Sequence, residues 1–357
     1  MAPSSTGLAA QPLERWLHLG RGEFLTVPPP PVSSELKAQV RARVRHLYPL
    51  AHHTVELHWY TTVDALDSSS MHYPHWCLLA RTIASAYADY DGFIIVHGTD
   101  TMAYSASALS FMLSGLAKPV VLTGSQIPAV EPGSDAWDNL HGAIASAACP
   151  DLPETLIAFG GKILRGCRAS KVSASSLDCF DSPNYPLLGT FSQTQLTMNR
   201  EAVLRMPQAP LLVEANWDTR IADFRLFPGL TSTAKSFWEA QFSPGSPVRG
   251  MLLHTFGAGN LPDNVVMQEH LAGFMAAGRL VVVLTQCRRG RVDLSRYASA
   301  HSLMAARAVS GADMTVEAAQ AKLMWVLGHV SPTRWKQVME SNQRGEFTEA
   351  RSQRDFY

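Results

Sequence analysis

The sequence predicts an α/β protein of two domains, and three observations carry that expectation. At 357 residues the chain is too long for one ordinary core, and length alone suggests about two. Two short apolar runs, Phe93-Ile94-Ile95-Val96 and Pro119-Val120-Val121-Leu122, flank a stretch with helical spacing, which reads as one strand–helix–strand unit. A second alternating region follows a stretch of weak patterning, with strands expected near Ile221–Phe227, Gly250–His254 and Leu280–Leu284. The domains are therefore placed at 1–192 and 221–357, the first larger, joined by a linker over 193–220 that holds Pro207 and Pro210.

The elements follow in order. Pro28 to Pro31 is a rigid polyproline segment, after which Ser33 or Ser34 caps a helix to about Leu47. Arg41, Arg43, Arg45 and His46 then fall on a solvated helix face. Thr54 to Thr61 alternates Val55, Leu57 and Trp59 with polar neighbours, as a strand does. Trp76 to Tyr87 is helical, turning Leu78, Leu79, Ile83 and Tyr87 toward the core. Gly92 to Val96 is continuously apolar, the pattern of a strand covered on both faces. Met102, Ala106, Leu109, Met112 and Leu113 mark a helix ending near Gly115, and the crossover is expected to be right-handed. The next strand runs into Thr123-Gly124-Ser125-Gln126, and Thr155–Arg165 reads as a hairpin around Gly160-Gly161. Closing helices are expected over Thr315–Leu327 and Thr333–Ser341, the latter announced by Ser331 and Pro332.

Composition excludes several classes of partner. Thirty basic residues balance thirty acidic ones, so no global field steers the chain to nucleic acid or anionic lipid. No run approaches the roughly 18 apolar residues of a membrane span. The five cysteines (Cys77, Cys149, Cys167, Cys179 and Cys287) show neither CxxC pairing nor zinc spacing, and an odd count suggests reduced thiols and a cytoplasmic home. The thirteen histidines do not cluster, and His52-His53 stands alone before a strand, so no metal is assigned.

The chemistry concentrates where the strand of Phe93–Val96 ends. His97-Gly98-Thr99-Asp100-Thr101-Met102 sets a hydroxyl and a carboxylate side by side at a strand-to-helix turn, where open α/β sheets collect their substrates. With Leu122-Thr123-Gly124-Ser125-Gln126-Ile127-Pro128, this segment resembles the asparaginase/glutaminase family, closest to its cytoplasmic, type I branch. The likeness continues through Asp67-Ser68-Ser69-Ser70-Met71, Arg165-Gly166-Cys167-Arg168-Ala169-Ser170-Lys171 and Ser182-Pro183-Asn184. It returns in Thr255-Phe256-Gly257-Ala258-Gly259-Asn260, Leu284-Thr285-Gln286-Cys287 and Ser310-Gly311-Ala312-Asp313-Met314-Thr315-Val316-Glu317, covering nearly the whole chain in the family's order.

The resemblance implies a two-domain asparaginase-like fold and an L-asparaginase activity, L-asparagine plus water giving L-aspartate and ammonia without a cofactor. Thr99, Lys171 and Asp100 match the family's second threonine, its lysine and its aspartate. Asp100 would also bind the substrate α-ammonium, and Ser68 its α-carboxylate, with Ser69 lining the same pocket. A lysine balanced between burial and a carboxylate could take a proton from Thr99 or its bound water. Read alone, Lys171 is a solvated charge, Ser68 a turn residue and Thr99 a helix cap. The matching segments around them favour the catalytic reading.

The resemblance also implies a second amino-acid pocket that switches the enzyme on. Ser170, Thr285 and Cys287 fall in its segments, while His254 stands where an arginine is expected. Read alone, Cys287 is a small buried hydrophobe. A homodimer or homotetramer is implied, with Asn260 contributing from a neighbour.

One family feature is absent. No Thr-Gly-Gly-Thr segment, which carries the attacking threonine, occurs in the chain, and no tyrosine precedes Tyr48. Met1–Gly7 looks like the stretch that follows that segment, Leu8 lies about where the tyrosine is expected, and a start codon placed too far downstream would explain both. Rival expectations are a glutaminase, an amidase subunit of a tRNA-dependent amidotransferase, and a non-catalytic amino-acid sensor.

Overall fold

The computed structural model describes residues 2–4, 7–9, 24–26, 40–50, 54–62, 66–230, 243, 245–296 and 300–349. The polyproline segment, Ser33, Ser34 and His52-His53 lie outside the described residues. The chain divides into two compact units, residues 1–182 with 186–213, and residues 183–185 with 214–357.

After short strands at Ala2–Ser4, Gly7–Ala9 and Phe24–Thr26, the first unit forms a long antiparallel hairpin of β1 (Val40–Pro49) and β2 (Thr54–Thr62), with Phe24–Thr26 paired to β1. The helix expected up to Leu47 is therefore a strand from Val40 onward, and Arg41, Arg43, Arg45 and His46 lie in it. Val40, Val44 and Leu47 carry helical spacing, yet the partner strand offers a continuous ladder from Ala42 to Pro49, and that long-range pairing overrides a short periodic signal. Helix α1 (Tyr73–Ser85) starts with Pro74 in its first turn and buries Trp76, Cys77, Ala80 and Ile83. Its buried stripe is rotated from the expected one: Leu78, Leu79 and Tyr87 are only half-buried.

Strand β3 (Phe93–Val96), helix α2 (Met102–Met112), strand β4 (Val120–Thr123), helix α3 (Ala136–Ala147) and strand β5 (Thr155–Phe159) build a parallel core, β3 beside β4 and β4 beside β5. The helix α2 is buried almost all round, and its small Ala and Ser residues make that packing possible. Strand β6 (Lys162–Arg165) returns antiparallel to β5 through Gly160 and Gly161, whose φ values of 57° and 77° suit glycine. Beyond it come β7 (Ser170–Lys171), β8 (Phe180–Asp181), β9 (Gly189–Phe191) and β10 (Leu196–Met198). The sheet order is β10-β9-β6-β5-β4-β3, with β7 and β8 a separate antiparallel pair. Within 193–220, Leu196–Met198 thus adds an edge strand to the sheet, and Leu212–Val213 pairs with Leu113–Ser114.

At the other edge stands β3. Phe93 N donates to Pro119 O and His97 N to Thr123 O, so the alternate residues Ile94 and Val96 turn their N–H and C=O groups away from β4. No strand among the described residues meets them there. Whereas β4 is wholly buried, β3 is half-buried and Val96 is 49% exposed, so the expectation of a strand covered on both faces fails at this edge.

The second unit is a parallel sheet of β11 (Ile221–Arg225), β12 (Gly250–Thr255), β13 (Leu280–Thr285) and β14 (Val309–Ser310), in that spatial order. Helices α4 (Val265–Ala276), α5 (His301–Ala305), α6 (Val316–His329) and α7 (Trp335–Met339) complete it. Asn264 and Thr315 cap α4 and α6 by accepting from Met267 N and Ala318 N. Met251, Leu253, Val281 and Val283 pack with Met267, Leu271 and Phe274 of α4 into one core.

Ahead of β11, Asp218 accepts from Arg220 at 2.6 and 2.9 Å and from Arg249 at 3.1 Å. The bond from Arg220 is the main cause that holds its carboxyl down at about 2, below the usual 3.8. Its stabilisation is complete above about pH 4 and is lost as pH falls through 2. Solvent screening limits it to on the order of 1 kcal/mol. Asp218→Asn is expected to melt a few degrees below the parent at pH 6, with the gap closing by pH 2. A constant gap across that range would refute this role.

Candidate active site

The turn from β3 to α2 positions the first functional group. Gly98 is extended, with φ −66° and ψ 147°, and Thr99–Thr101 forms a single 3-10 turn before α2 begins. Thr99 is buried and does not cap the helix, since the N-cap position is Thr101. Lys171 arrives from β7, whose pairing with Phe180 of β8 fixes its place. Its Nζ donates to Thr99 Oγ1 at 2.8 Å and to Asp100 Oδ1 at 2.7 Å. The lysine head is 18% exposed and the Asp100 side chain 58%, so the trio lies at a mouth open to water on the carboxylate side.

Thr99 Oγ1 donates in turn to Gln126 Oε1 at 3.0 Å. The amide orientation follows from its other end, where Gln126 Nε2 donates to the carbonyls of Ala174 and Ser176 at 3.3 and 3.2 Å. Gln126 thus joins the turn after β3, the loop after β4 and the β7–β8 loop. The Asp135 carboxylate holds that loop by accepting from Gln126 N, Ile127 N and Asn139 Nδ2, at 2.9 to 3.1 Å. Gln126 lies in one of the family-like segments, and the sequence by itself assigns it no role. Its place at the carboxyl end of the strand next to β3 was the signal that could have found it.

Ser68 begins a 3-10 turn, Ser68–Ser70, capped by Asp67 Oδ1 accepting from Ser69 N at 2.9 Å. Ser68 is buried, and Thr101 Oγ1 donates to its carbonyl at 2.6 Å. A Cβ on Gly98 would fall 2.6 Å from Ser68 Oγ, so only glycine lets this turn approach so closely. The fold therefore brings Ser68, Thr99, Asp100 and Lys171 together, while Ser69 beside them is exposed. Cys179 is no rival nucleophile: burial pushes its thiol up to about 11 despite the nearby Lys171 ammonium.

Two family models account for most of the chain. The asparaginase N-terminal domain matches residues 32–204, and the glutaminase/asparaginase C-terminal domain matches residues 222–339. The chain belongs to the asparaginase family. L-asparaginase 1 of Escherichia coli (strain K12) is 39% identical over 298 residues, 82% of this chain and 84% of that protein. L-asparaginase of Dirofilaria immitis is 37% identical over 316 residues, 86% of this chain, which spans only 52% of that relative's length. The solved thermostable L-asparaginase from Thermococcus kodakarensis superposes with a TM-score of 0.75 at 35% identity, covering 81% of this chain and 85% of that one. The two-domain asparaginase fold is thereby shown.

The remaining residues singled out in the sequence are divided. Ser170 belongs to the first unit, and His254, Thr285 and Cys287 to the second. Thr285 Oγ1 donates to Gly257 O at 2.6 Å and accepts from Cys287 N at 3.0 Å. His254 is buried on β12, its Nε2 2.7 Å from Asp223 Oδ1 of β11, a close electrostatic contact. Cys287 is exposed, which overturns its reading as a buried hydrophobe. Asn260 closes a tight turn with Phe256, accepting from Phe256 N at 3.0 Å and donating to Phe256 O at 2.8 Å.

Proposed function

We propose that this protein hydrolyses the side-chain amide of L-asparagine, giving L-aspartate and ammonia without a cofactor. The observation that carries the reading is Lys171 Nζ lying within hydrogen-bond reach of both Thr99 Oγ1 and Asp100 Oδ1. When the Lys171 amine is neutral it can take the Thr99 hydroxyl proton across that contact, and a base so placed is what an attacking hydroxyl or water needs. In this reading Lys171 and Thr99 move the proton, Asp100 holds the α-ammonium, and Ser68 with Ser69 receives the α-carboxylate. The first step forms an acyl–oxygen bond on a threonine and breaks the C–N bond, ammonia leaving with the transferred proton. Water then cleaves the ester and returns the threonine hydroxyl.

The family resemblance implies that the attacking threonine sits in a Thr-Gly-Gly-Thr segment at the end of a strand, and the edge of β3 that no described strand fills would suit such a strand. A strand parallel to β3 would bring its carboxyl end beside Thr99. A cytoplasmic homodimer or homotetramer belongs to the same reading. The odd number of cysteines supports the compartment, and light scattering tests the assembly. Glutamine is the alternative substrate, favoured by the glutaminase/asparaginase C-terminal model. One methylene is worth only about 1–3 kcal/mol in a pocket, so assays on both amides decide.

Asp100→Ala is expected to weaken L-aspartate binding at least tenfold, because the α-ammonium then lacks its counter-charge. Succinate, which has no ammonium, is expected to bind both forms equally. An unchanged affinity for L-aspartate would remove Asp100 from the clamp.

A further inference from the structure

The histidine that opens the His97-Gly98-Thr99-Asp100 segment takes no part in the proposed chemistry, yet it is buried with both ring nitrogens occupied. Its Nδ1 lies 2.6 Å from the Gly98 carbonyl, which can only accept, so Nδ1 carries the proton. Its Nε2 lies 2.8 Å from Ser105 Oγ of α2, and that same oxygen receives the indole N–H of Trp76 of α1 at 2.9 Å. The direction of every bond is then fixed. Trp76 donates to Ser105, Ser105 donates to His97 Nε2, and His97 Nδ1–H donates to Gly98 O. Burial lowers the imidazole pKa, which keeps the ring neutral and this polarity intact at neutral pH.

The bonded carbonyl belongs to the residue on which the site turns. On its Cα side Gly98 packs against Ser68, and Thr101 Oγ1 ties the same turn to Ser68 O. Between the two anchors stands Thr99.

We infer that His97 is a positioning residue: through the Trp76–Ser105–His97–Gly98 relay, helices α1 and α2 set the Gly98–Thr101 turn against Ser68 and so aim Thr99 and Asp100. This rests on the proposed site, because what the turn aims is the amino-acid pocket.

Two substitutions in the full chain separate positioning from packing. The amide nitrogen of asparagine stands close to where imidazole Nδ1 does, so His97→Asn keeps the donor to Gly98. The amide oxygen of glutamine stands close to Nε2, so His97→Gln keeps the partner of Ser105 and loses that donor. Calorimetric titration with L-aspartate is expected to show His97→Asn within threefold of the parent and His97→Gln at least tenfold weaker. A packing role predicts the reverse, since glutamine fills the space better, and either the reverse order or equal affinities would overturn the inference. Ring nitrogen NMR of the parent is expected to show the Nδ1–H tautomer at pH 7, and the Nε2–H tautomer would also overturn it. Ser105→Ala removes the orienting hydroxyl without touching the turn and is expected to mix the two tautomers; a pure Nδ1–H form there would overturn the relay. If the parent binds no L-aspartate, the proposed function fails. The relay is then judged from crystal structures, with the Thr101–Ser68 bond kept in His97→Asn and lost in His97→Gln. Its retention in both would overturn the positioning role.

Discussion

Lys171→Met in an active length of the chain is expected to lower kcat for L-asparagine at least a hundredfold, about 2.7 kcal/mol of barrier. Methionine keeps the unbranched stem and removes the ammonium that meets Thr99 Oγ1 and Asp100 Oδ1. The fold has little at stake, because an ion pair whose carboxylate is 58% exposed contributes on the order of 1 kcal/mol or less. Melting should stay within a few degrees and L-aspartate affinity within fivefold. Separate measurement of kcat, affinity and melting is therefore the check, and a variant keeping more than a tenth of parental kcat would remove Lys171 from the proton path.

The second large effect concerns the edge of β3. Expressed from Met1, the chain is expected to release ammonia from L-asparagine at least a thousandfold more slowly than the same chain preceded by a strand ending in Thr-Gly-Gly-Thr. If the attacking hydroxyl belongs to that added segment, Thr99 and Lys171 by themselves can only activate water, and the covalent step that divides the barrier is lost. Ile94 and Val96 also direct backbone groups to an edge that no described strand fills, each costing on the order of 1–3 kcal/mol where water is excluded. The longer form should melt higher as well as turn over faster. Equal rates in the two lengths would mean that the attacking group already lies in the 357 residues, and a covalent acyl adduct sought on the Thr99 peptide would identify it.

The strand–helix–strand unit around His97–Met102 was legible because its periods differ sharply, a short apolar run giving way to helical spacing. The three strands of the second unit beginning at Ile221, Gly250 and Leu280 were legible for a related reason, each a compact run closed by polar residues. The strand Val40–Pro49 was not, although its partner Thr54–Thr62 was, since its stability comes from a pairing that local spacing does not announce. Nor was the Gln126 amide, whose three bonds join segments about 27 and 50 residues apart. Charged residues misled in the same way. Lys322 and Glu346 pair at 2.6 Å with no exposure at all, and Arg165 pairs with Glu154 in the first unit, although sequence assigns such side chains to the surface.

Both sheets place each strand beside the one made before it, β3 to β4 to β5 to β6 to β9 to β10, and then β11 to β12 to β13 to β14. A chain emerging from the ribosome can therefore extend each sheet at one growing edge, and no strand has to be threaded between two already in place. Residues 183–185 break this rhythm. Asn184 donates to Asp313 O and accepts from Gly290 N, partners synthesised more than a hundred residues later. This short stretch is made amid the first unit, and these two bonds of Asn184 can close only when the second is nearly finished, so they report completion of the later unit.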